Sequence, residues 1–139
     1  MRAAKRKVLE SVGQRSGLLP RTVPDPDGDG GSSVIWFGPD AGTAARFVAA
    51  LQAEGIPSAQ LYDGAPVYLN RAYLERRTVS PNRSPWARHP VEVTYRAGLC
   101  PVAEDLAARS IAVAIGPDYT GSDLEDVAAA VHKVADALL

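Results

Sequence analysis

The sequence predicts an α/β domain in which a small mixed or antiparallel sheet carries helices mainly on one face. Three observations lead to this fold class. Amphipathic helical patterns alternate with short runs of β-formers, in the order α-β-α-β-(loop)-α-β-α. A helix between the first two strands makes them a β-α-β unit. The 139 residues, 46% of them hydrophobic, suffice for one buried core, so we expect residues 1–139 to form a single domain.

The first 31 residues combine a helix with a connection rich in Pro, Asp and Gly. A helix over residues 2–15 would place Ala4, Val8 and Val12 on one stripe, with a basic face opposite. The connection 18–31 contains the run Pro-Asp-Pro-Asp-Gly-Asp-Gly-Gly, which predicts a turn or a flexible loop that does not pack. The run lacks the bidentate glutamate that closes a calcium-binding loop. Residues 32–139 are then expected to form the α/β core.

Local signals place the next helix and two strands. Residues 32–37 are a short apolar run typical of a buried strand. Asp40 is expected to cap the following helix, and Gly55 to end it. Pro57 favours an edge position for a second strand over residues 56–62. The apolar stripe of the helix consists of Ala44, Phe47, Val48 and Leu51.

The C-terminal third is equally regular. Proline suits the first position of a helix, so Cys100-Pro101 predicts a helix start. A strand over residues 111–115 directs its branched side chains to one face. Residues 122–125 have the pattern of a capping box for the last helix. The stripe of that helix consists of Leu124, Val127, Ala128, Val131, Val134, Ala135 and Leu138.

Residues 63–99 are the least regular part of the chain. They contain four prolines, and residues 78–90 within them predict an ordered loop. So long a loop inside a compact domain is usually functional or disordered. This part of the chain is therefore the first place to look for ligand contacts.

Charge and composition exclude several classes of function. Residues 1–22 carry six basic side chains against one acid, and residues 103–139 carry seven acids against two basic side chains. We interpret these patches as solvated faces or as surfaces that steer a charged partner. The basic segments lack interleaved aromatic residues, so nucleic-acid binding is not predicted, and no apolar run suits a membrane span. A single cysteine favours a reducing cytoplasm and excludes a thiolate metal cluster.

Three stretches carry a family resemblance. The first is Val34-Ile35-Trp36-Phe37 with the helix after it and Gly55-Ile56-Pro57; the second runs from Pro66 to Tyr73; the third is Cys100-Pro101-Val102-Ala103-Glu104 with the strand and helix that follow. In order and spacing they resemble the C-terminal domain of the DegT/DnrJ/StrS sugar aminotransferases, pyridoxal-phosphate enzymes of fold type I. The chain departs from the family pattern at Leu61 and Tyr68, where histidines are common, and at Asn70 and Arg71.

The resemblance implies an incomplete active site. In that family a large N-terminal domain holds pyridoxal phosphate and the Schiff-base lysine, whereas Lys5, Lys7 and Lys133 here are interpreted as solvated surface lysines. We therefore expect no cofactor on this chain, and a large subunit of a split aminotransferase as partner. The apolar stripe of helix 1–17 would bridge to that subunit. The implied substrate is a keto-sugar, a cyclitol or a related specialised metabolite, with an amino acid as amino donor.

Two groups of residues are candidates for the wall of that active site. Polar tips in the first group would orient a substrate hydroxyl or carboxylate, or the residues simply pack as amphipathic side chains. The second group would form a lid, or its tryptophan anchors a structural loop. No catalytic or metal-ligating residue is predicted. The first group is Tyr62, Tyr68 and Asn70, and the second is Arg83, Trp86 and His89.

Two further interpretations stay open. The domain could be a non-catalytic module that binds a small molecule or a protein through the same face. It could also be a decayed or dissected fragment of a single-chain enzyme; the Met1 start is taken as weighing against dissection.

Overall fold

The computed structural model describes all 139 residues, Met1–Leu139. The chain forms five α-helices, four strands and three short 3₁₀ turns, which is one short strand and one short helix more than the predicted order contains. The helices are α1 (Arg2–Val12), α2 (Ala41–Ala53), α3 (Arg71–Leu74), α4 (Pro101–Ala108) and α5 (Gly121–Leu138). The strands are β1 (Leu19–Pro20), β2 (Ser33–Phe37), β3 (Ser58–Ala59) and β4 (Ser110–Ala114).

The four strands form one antiparallel sheet in the order β1-β2-β4-β3. β2 pairs with β4 along its whole length, from Ser33 opposite Ala114 to Phe37 opposite Ser110. β2 and β3 are both antiparallel to β4, so they run parallel to each other with β4 between them. The predicted β-α-β unit is thus present in split form, and β3 lies at the sheet edge as Pro57 indicated.

The core lies between one face of this sheet and helices α1, α2 and α5. The register places Val34 opposite Val113 and Trp36 opposite Ile111, and all four side chains are fully buried. The predicted stripes of α2 and α5 pack against this face, with Leu138 only partly buried. Asp40 caps α2 by accepting a hydrogen bond from the Thr43 N–H at 2.8 Å. The predicted fold class is therefore confirmed.

Two predictions about element boundaries are wrong. The strand expected over 56–62 is limited to Ser58–Ala59, because the Leu61 N–H bonds the Ser110 hydroxyl at 2.7 Å and the chain then turns. Tyr62 and Asp63 form that turn with φ of 52° and 58°. The capping box of α5 is built by Thr120 and Asp123, so the cap lies two residues before the expected one and the helix begins at Gly121.

The prediction that the run at residues 24–31 does not pack is also wrong, because Asp29 forms a largely buried ion pair with Lys5. Earlier in the same connection, β1 extends the sheet. Gly31 has a φ of 72°, and a Cβ atom there would lie 2.5 Å from the Arg2 nitrogen. The loop therefore closes on the start of α1 at a distance that only glycine permits.

α1 belongs to the core rather than to an interface. Val8 is fully buried and Val12 nearly so, in the same cluster as the α5 stripe. Ion pairs from Lys7 to Glu125 at 2.9 Å and from Arg15 to Asp136 at 2.5 Å also tie the N-terminal region to α5. The expectation that the apolar stripe of α1 bridges to a partner is thus wrong, because α5 already covers it.

No helix of the chain combines the length and the apolar character that crossing a membrane requires.

Candidate functional site

Residues 61–100, called here the irregular segment, differ from the rest of the molecule in burial. Pro66 is the one buried residue among them, whereas the rest of the chain supplies the whole core cluster. Seven of the eleven large hydrophobic side chains that are exposed lie within this segment. Apolar surface left in water is a common property of binding faces. The segment is therefore the candidate functional region, as its irregular sequence indicated.

Four aromatic rings hold the irregular segment together. Tyr95 lies at their centre, with its ring centroid 5.8 Å from those of Tyr73 and Trp86 and 6.5 Å from that of Tyr68. Tyr73 and Trp86 also meet edge to face at 6.1 Å. Such edge contacts between rings each contribute roughly 0.5–1.5 kcal/mol beyond area burial. We call Tyr68, Tyr73, Trp86 and Tyr95 the aromatic cluster.

Tyr68 fastens this cluster to α4. Its hydroxyl donates to the Glu104 carboxylate and accepts from the Cys100 N–H at 3.1 Å, and Glu104 also accepts from the Gly98 N–H at 2.7 Å. Burial, followed by the bond to Glu104, raises the pKa of Tyr68, and the same bond lowers the pKa of Glu104. The Tyr68 hydroxyl has one proton, and it donates that proton to Glu104. In this structure Tyr68 therefore has a structural role: it attaches the aromatic cluster to α4.

Asn70 and Tyr62 have different local roles. The Asn70 amide oxygen caps α3 by accepting from the Ala72 N–H at 2.9 Å, while its NH₂ group stays free on an exposed side chain. Tyr62 is 67% exposed in a left-handed backbone conformation. A bulky residue with positive φ is uncommon and concentrates at functional sites. Tyr62 therefore presents its ring and hydroxyl to solvent at the sheet end of the segment.

Trp86 and His89 line a cleft of about 150 Å³ together with Arg76, Glu92 and Val93. The Trp86 indole N–H is buried without a hydrogen-bond partner. A buried donor of this kind costs free energy unless something accepts from it. Arg76 and Glu92 pair across the cleft at 2.9 Å. The cleft therefore combines an unsatisfied donor with a charged pair.

Arg83 does not line this cleft. It has a φ of 57°, its side chain is exposed, and no carboxylate pairs with it. The structure thus brings Tyr68, Trp86 and His89 into one assembly through the aromatic cluster and the cleft, and leaves Tyr62 and Arg83 as separate exposed side chains.

The sequence did not single out Tyr73, Tyr95 or Glu104 for this site. Glu104 was named only as part of the third stretch of the family resemblance, and its contact with Tyr68 spans 36 positions. The recurrence of tyrosine between residues 62 and 95 was the available signal. Which ring meets which could not be read from that spacing, because the segment has no regular periodicity.

A larger cleft of about 590 Å³ lies elsewhere, between the end of α2 and the start of α5. Three acids line it, but Glu54 pairs with Lys133 at 2.7 Å and Asp123 caps α5. Because two of its acids already serve the fold, the size of this cleft does not by itself indicate a site.

The chain does not fit pyridoxal phosphate as its own cofactor. Imine formation needs an uncharged amine in an enclosed pocket, whereas Lys7 and Lys133 are exposed cations paired with Glu125 and Glu54. Lys5 is buried and paired with Asp29, so the prediction of a solvated Lys5 is wrong. Loop 24–31 buries it by folding over α1. Nor do His, Cys, Asp and Glu side chains form a group of three that could hold a metal.

No family model and no curated protein matches this chain. Among solved structures it is similar to the crystal structure of a DegT DnrJ EryC1 StrS aminotransferase from Brucella abortus, with a TM-score of 0.62 and 21% sequence identity. The match covers 94% of this chain and 29% of that chain. The two share a fold over this length, and the present chain spans less than a third of the aminotransferase.

Proposed function

We propose that this domain forms one wall of the active site of a pyridoxal-phosphate-dependent aminotransferase whose cofactor and lysine lie on a separate large subunit. The observation that carries the proposal is the shared fold over 94% of this chain with a domain-sized part of an aminotransferase. The engagement of every lysine by a carboxylate on this chain supports placing the cofactor elsewhere.

The irregular segment is the face proposed to meet the large subunit. Its exposed apolar side chains would be covered in a complex, and Arg83, Arg88 and Arg96 have no carboxylate partner within the chain. Arginine without a partner suits contacts with carboxylates, either on the subunit or on the substrate. The aromatic cluster would keep this face in one shape before binding, which lowers the entropic cost of association.

Within that complex the candidate residues have distinct tasks. Tyr62 and the free NH₂ group of Asn70 would bond hydroxyl groups of a keto-sugar, a cyclitol or a related substrate. Trp86 would donate its indole N–H to an acceptor at the cleft mouth, beside His89. Tyr68 would act as a positioning residue, because its proton is held by Glu104. Pyridoxal phosphate on the large subunit would supply the electron sink of the transamination.

The test is capture of the native complex. The tagged chain is purified from its source cells under mild conditions, reduced with sodium borohydride, and analysed for pyridoxyl-lysine by mass spectrometry. The proposal expects the modified lysine on a co-purifying chain, and transamination of keto-sugar acceptors that needs both chains. Pyridoxyl-lysine on this chain, or turnover by this chain alone, would contradict it.

Tyr62→Phe and Asn70→Asp variants refine the test. Both residues are exposed, and aspartate keeps the oxygen that caps α3, so the fold should be retained, while turnover of the complex falls by roughly tenfold or more if a substrate hydrogen bond is lost. Val79→Ala, at a fully exposed position in the same segment, is the matched control and should leave turnover unchanged. Equal rates in all three variants would remove Tyr62 and Asn70 from the site.

The alternative is a non-catalytic module that binds a ligand or protein through the same segment. One observation favours it: the aromatic cluster and its link to α4 are complete within this chain. A stable co-purifying partner that contains no pyridoxal phosphate would support the module and contradict the aminotransferase proposal.

A further inference from the structure

A second cleft, remote in sequence from the irregular segment, lies between α1 and residues 21–29. Its volume is about 250 Å³, and four of its eight lining residues are cationic. Arg2, Lys5, Arg6 and Leu9 follow the i, i+3, i+4, i+7 spacing of one helix face. Residues of the loop, among them Arg21 and Asp29, face them across the cleft. Asp29 is the single acid in the lining.

Lys5 is the buried element of this cleft. Its side chain is 9% exposed, and its ammonium has one hydrogen-bond partner, Asp29. An ammonium group carries three donors, so two of them have no partner on the chain. A cation removed from water in this way favours a second negative charge nearby. Lys5 therefore has both the charge and the free donors for an anionic ligand.

The remaining cations add to this excess. Arg21 lies 3.9 Å from Asp29 without a hydrogen bond to it, and Arg6 has no carboxylate partner. Arg2 donates to the Asp27 carbonyl, which anchors it without neutralising its charge. The bond from Lys5, together with the Gly31 N–H, holds the pKa of Asp29 below its usual range, so Asp29 keeps its charge near neutral pH. One carboxylate then faces four cations.

Gly31 fixes the position of the loop relative to α1. The loop can approach the first turn of α1 only because residue 31 lacks a Cβ atom. The Asp29 carboxylate also accepts from the Gly31 N–H at 2.9 Å, which fixes the acid relative to the turn. The loop residues thus stand against the basic face of α1 before any ligand arrives.

We propose that the cleft between α1 and residues 21–29 is a binding site for the phosphate group of a small molecule. Guanidinium groups match phosphate oxygens in geometry, and a nearly buried ammonium adds a point charge. Whole-ligand pockets usually measure about 300–1,000 Å³. The smaller volume here suits one phosphate or pyrophosphate group, with the rest of the molecule in solvent. This site is independent of the aminotransferase proposal.

The experiment is calorimetric titration of the full chain with inorganic pyrophosphate and inorganic phosphate at about 0.1 M salt, where screening acts within roughly 10 Å. We expect saturable binding of one pyrophosphate per chain, with weaker binding of inorganic phosphate. Arg6→Gln and Arg21→Gln should each weaken it by about tenfold, since a charge-assisted hydrogen bond is lost. Arg46 is exposed on α2 and does not line the cleft, so Arg46→Gln removes a charge elsewhere and should leave binding unchanged.

Asp29→Asn separates a ligand site from a merely structural ion pair. The substitution keeps the oxygen that accepts from Gly31 but removes the charge that competes with the ligand, so pyrophosphate should bind several-fold more tightly. Weaker binding in this variant would overturn the proposal. So would absence of saturable binding at millimolar pyrophosphate, an equal loss in Arg46→Gln, or equally tight binding of succinate, which would mark the cleft as a docking point for carboxylates.

Discussion

The α/β core and the irregular segment are held together by different means. In the core, long helices with side-chain caps bury branched and aromatic side chains against one sheet face. In residues 61–100 no helix exceeds four residues, and four aromatic rings and a tyrosine–glutamate bond supply the order. Burial of many apolar side chains is cooperative, whereas a few edge contacts between rings are not. We therefore expect the core to be a stable scaffold and the irregular segment to have lower local stability, as binding segments often have.

A matched pair of leucine truncations tests this difference in stability most directly. Leu51 is fully buried in the core, and Leu74 is 47% exposed in the irregular segment. We expect Leu51→Ala to lower the free energy of unfolding by about 2–5 kcal/mol and Leu74→Ala by less than about 1 kcal/mol, measured by urea denaturation. Similar losses in both variants would show that the segment shares the core's cooperativity.

A glycine pair gives the next largest effect. Gly31→Ala should cost about 2 kcal/mol or more, because the left-handed conformation is strained for alanine and its Cβ atom meets the Arg2 backbone. Gly98→Ala in the irregular segment meets nothing within 4 Å, so only the strain of its φ of 86° remains, about 1 kcal/mol. Gly30→Ala is the control that should cost little, because a Cβ atom there meets nothing within 4 Å and the φ of Gly30 is not positive. A Gly31→Ala cost no larger than that of Gly98→Ala would show that the loop yields at little cost.

Removal of the Tyr68 hydroxyl should lower the local stability of the irregular segment and leave the stability of the core unchanged. Tyr68→Phe keeps the ring contacts but leaves Glu104 and the Cys100 N–H without their partner, at a cost of about 1 kcal/mol. We expect faster trypsin cleavage at the arginines of residues 71–96, with an almost unchanged urea midpoint for the core. Tyr73→Phe, whose hydroxyl makes no hydrogen bond within the chain, is the matched control. A large fall in the global midpoint would mean that the two regions unfold together.

The smallest expected effect is the pH dependence of the same attachment. The pKa of Glu104 is lowered in the folded chain. Its contribution to the stability of the attachment is therefore present above its unfolded pKa of about 4.3 and is lost as pH falls through the folded value. The pKa of Tyr68 is raised, so its contribution is lost as pH rises from about 10 through the folded value. Hydrogen exchange of residues 61–100 should increase at both extremes. In Glu104→Gln the acid-side increase should be absent, and its persistence would place the cause elsewhere.

Local pattern predicted the core well. The stripes of α2 and α5, the cap at Asp40 and the helix start at Pro101 each depend on residues within one or two turns, so the sequence states them directly. The antiparallel β2–β4 pairing agrees with the predicted sheet, although its register was not predicted. The boundaries that failed, at residues 56–62 and at the start of α5, were decided by single hydrogen bonds to Ser110 and Thr120.

The candidate site was only partly predictable. Trp86 and His89 were named from composition and do line one cleft, whereas Arg83 does not. Tyr95, the centre of the aromatic cluster, was missed because its partners lie up to 27 positions away in a segment with no regular period. The charge excess in residues 1–22 was visible in the sequence. That Asp29 would bury Lys5 was not, since a Gly- and Asp-rich run ordinarily predicts a solvated loop.

By itself the amino-acid sequence determined the α/β class, the order of the regular elements and the side chains that enter the core, because periodicity and caps act over a few residues. Tertiary structure alone decided that β4 lies between β2 and β3, that α1 packs on α5, and which side chains meet around Tyr95 and Lys5. These contacts join residues far apart in the chain. Their energies depend on burial and distance, which the chain acquires only when it folds.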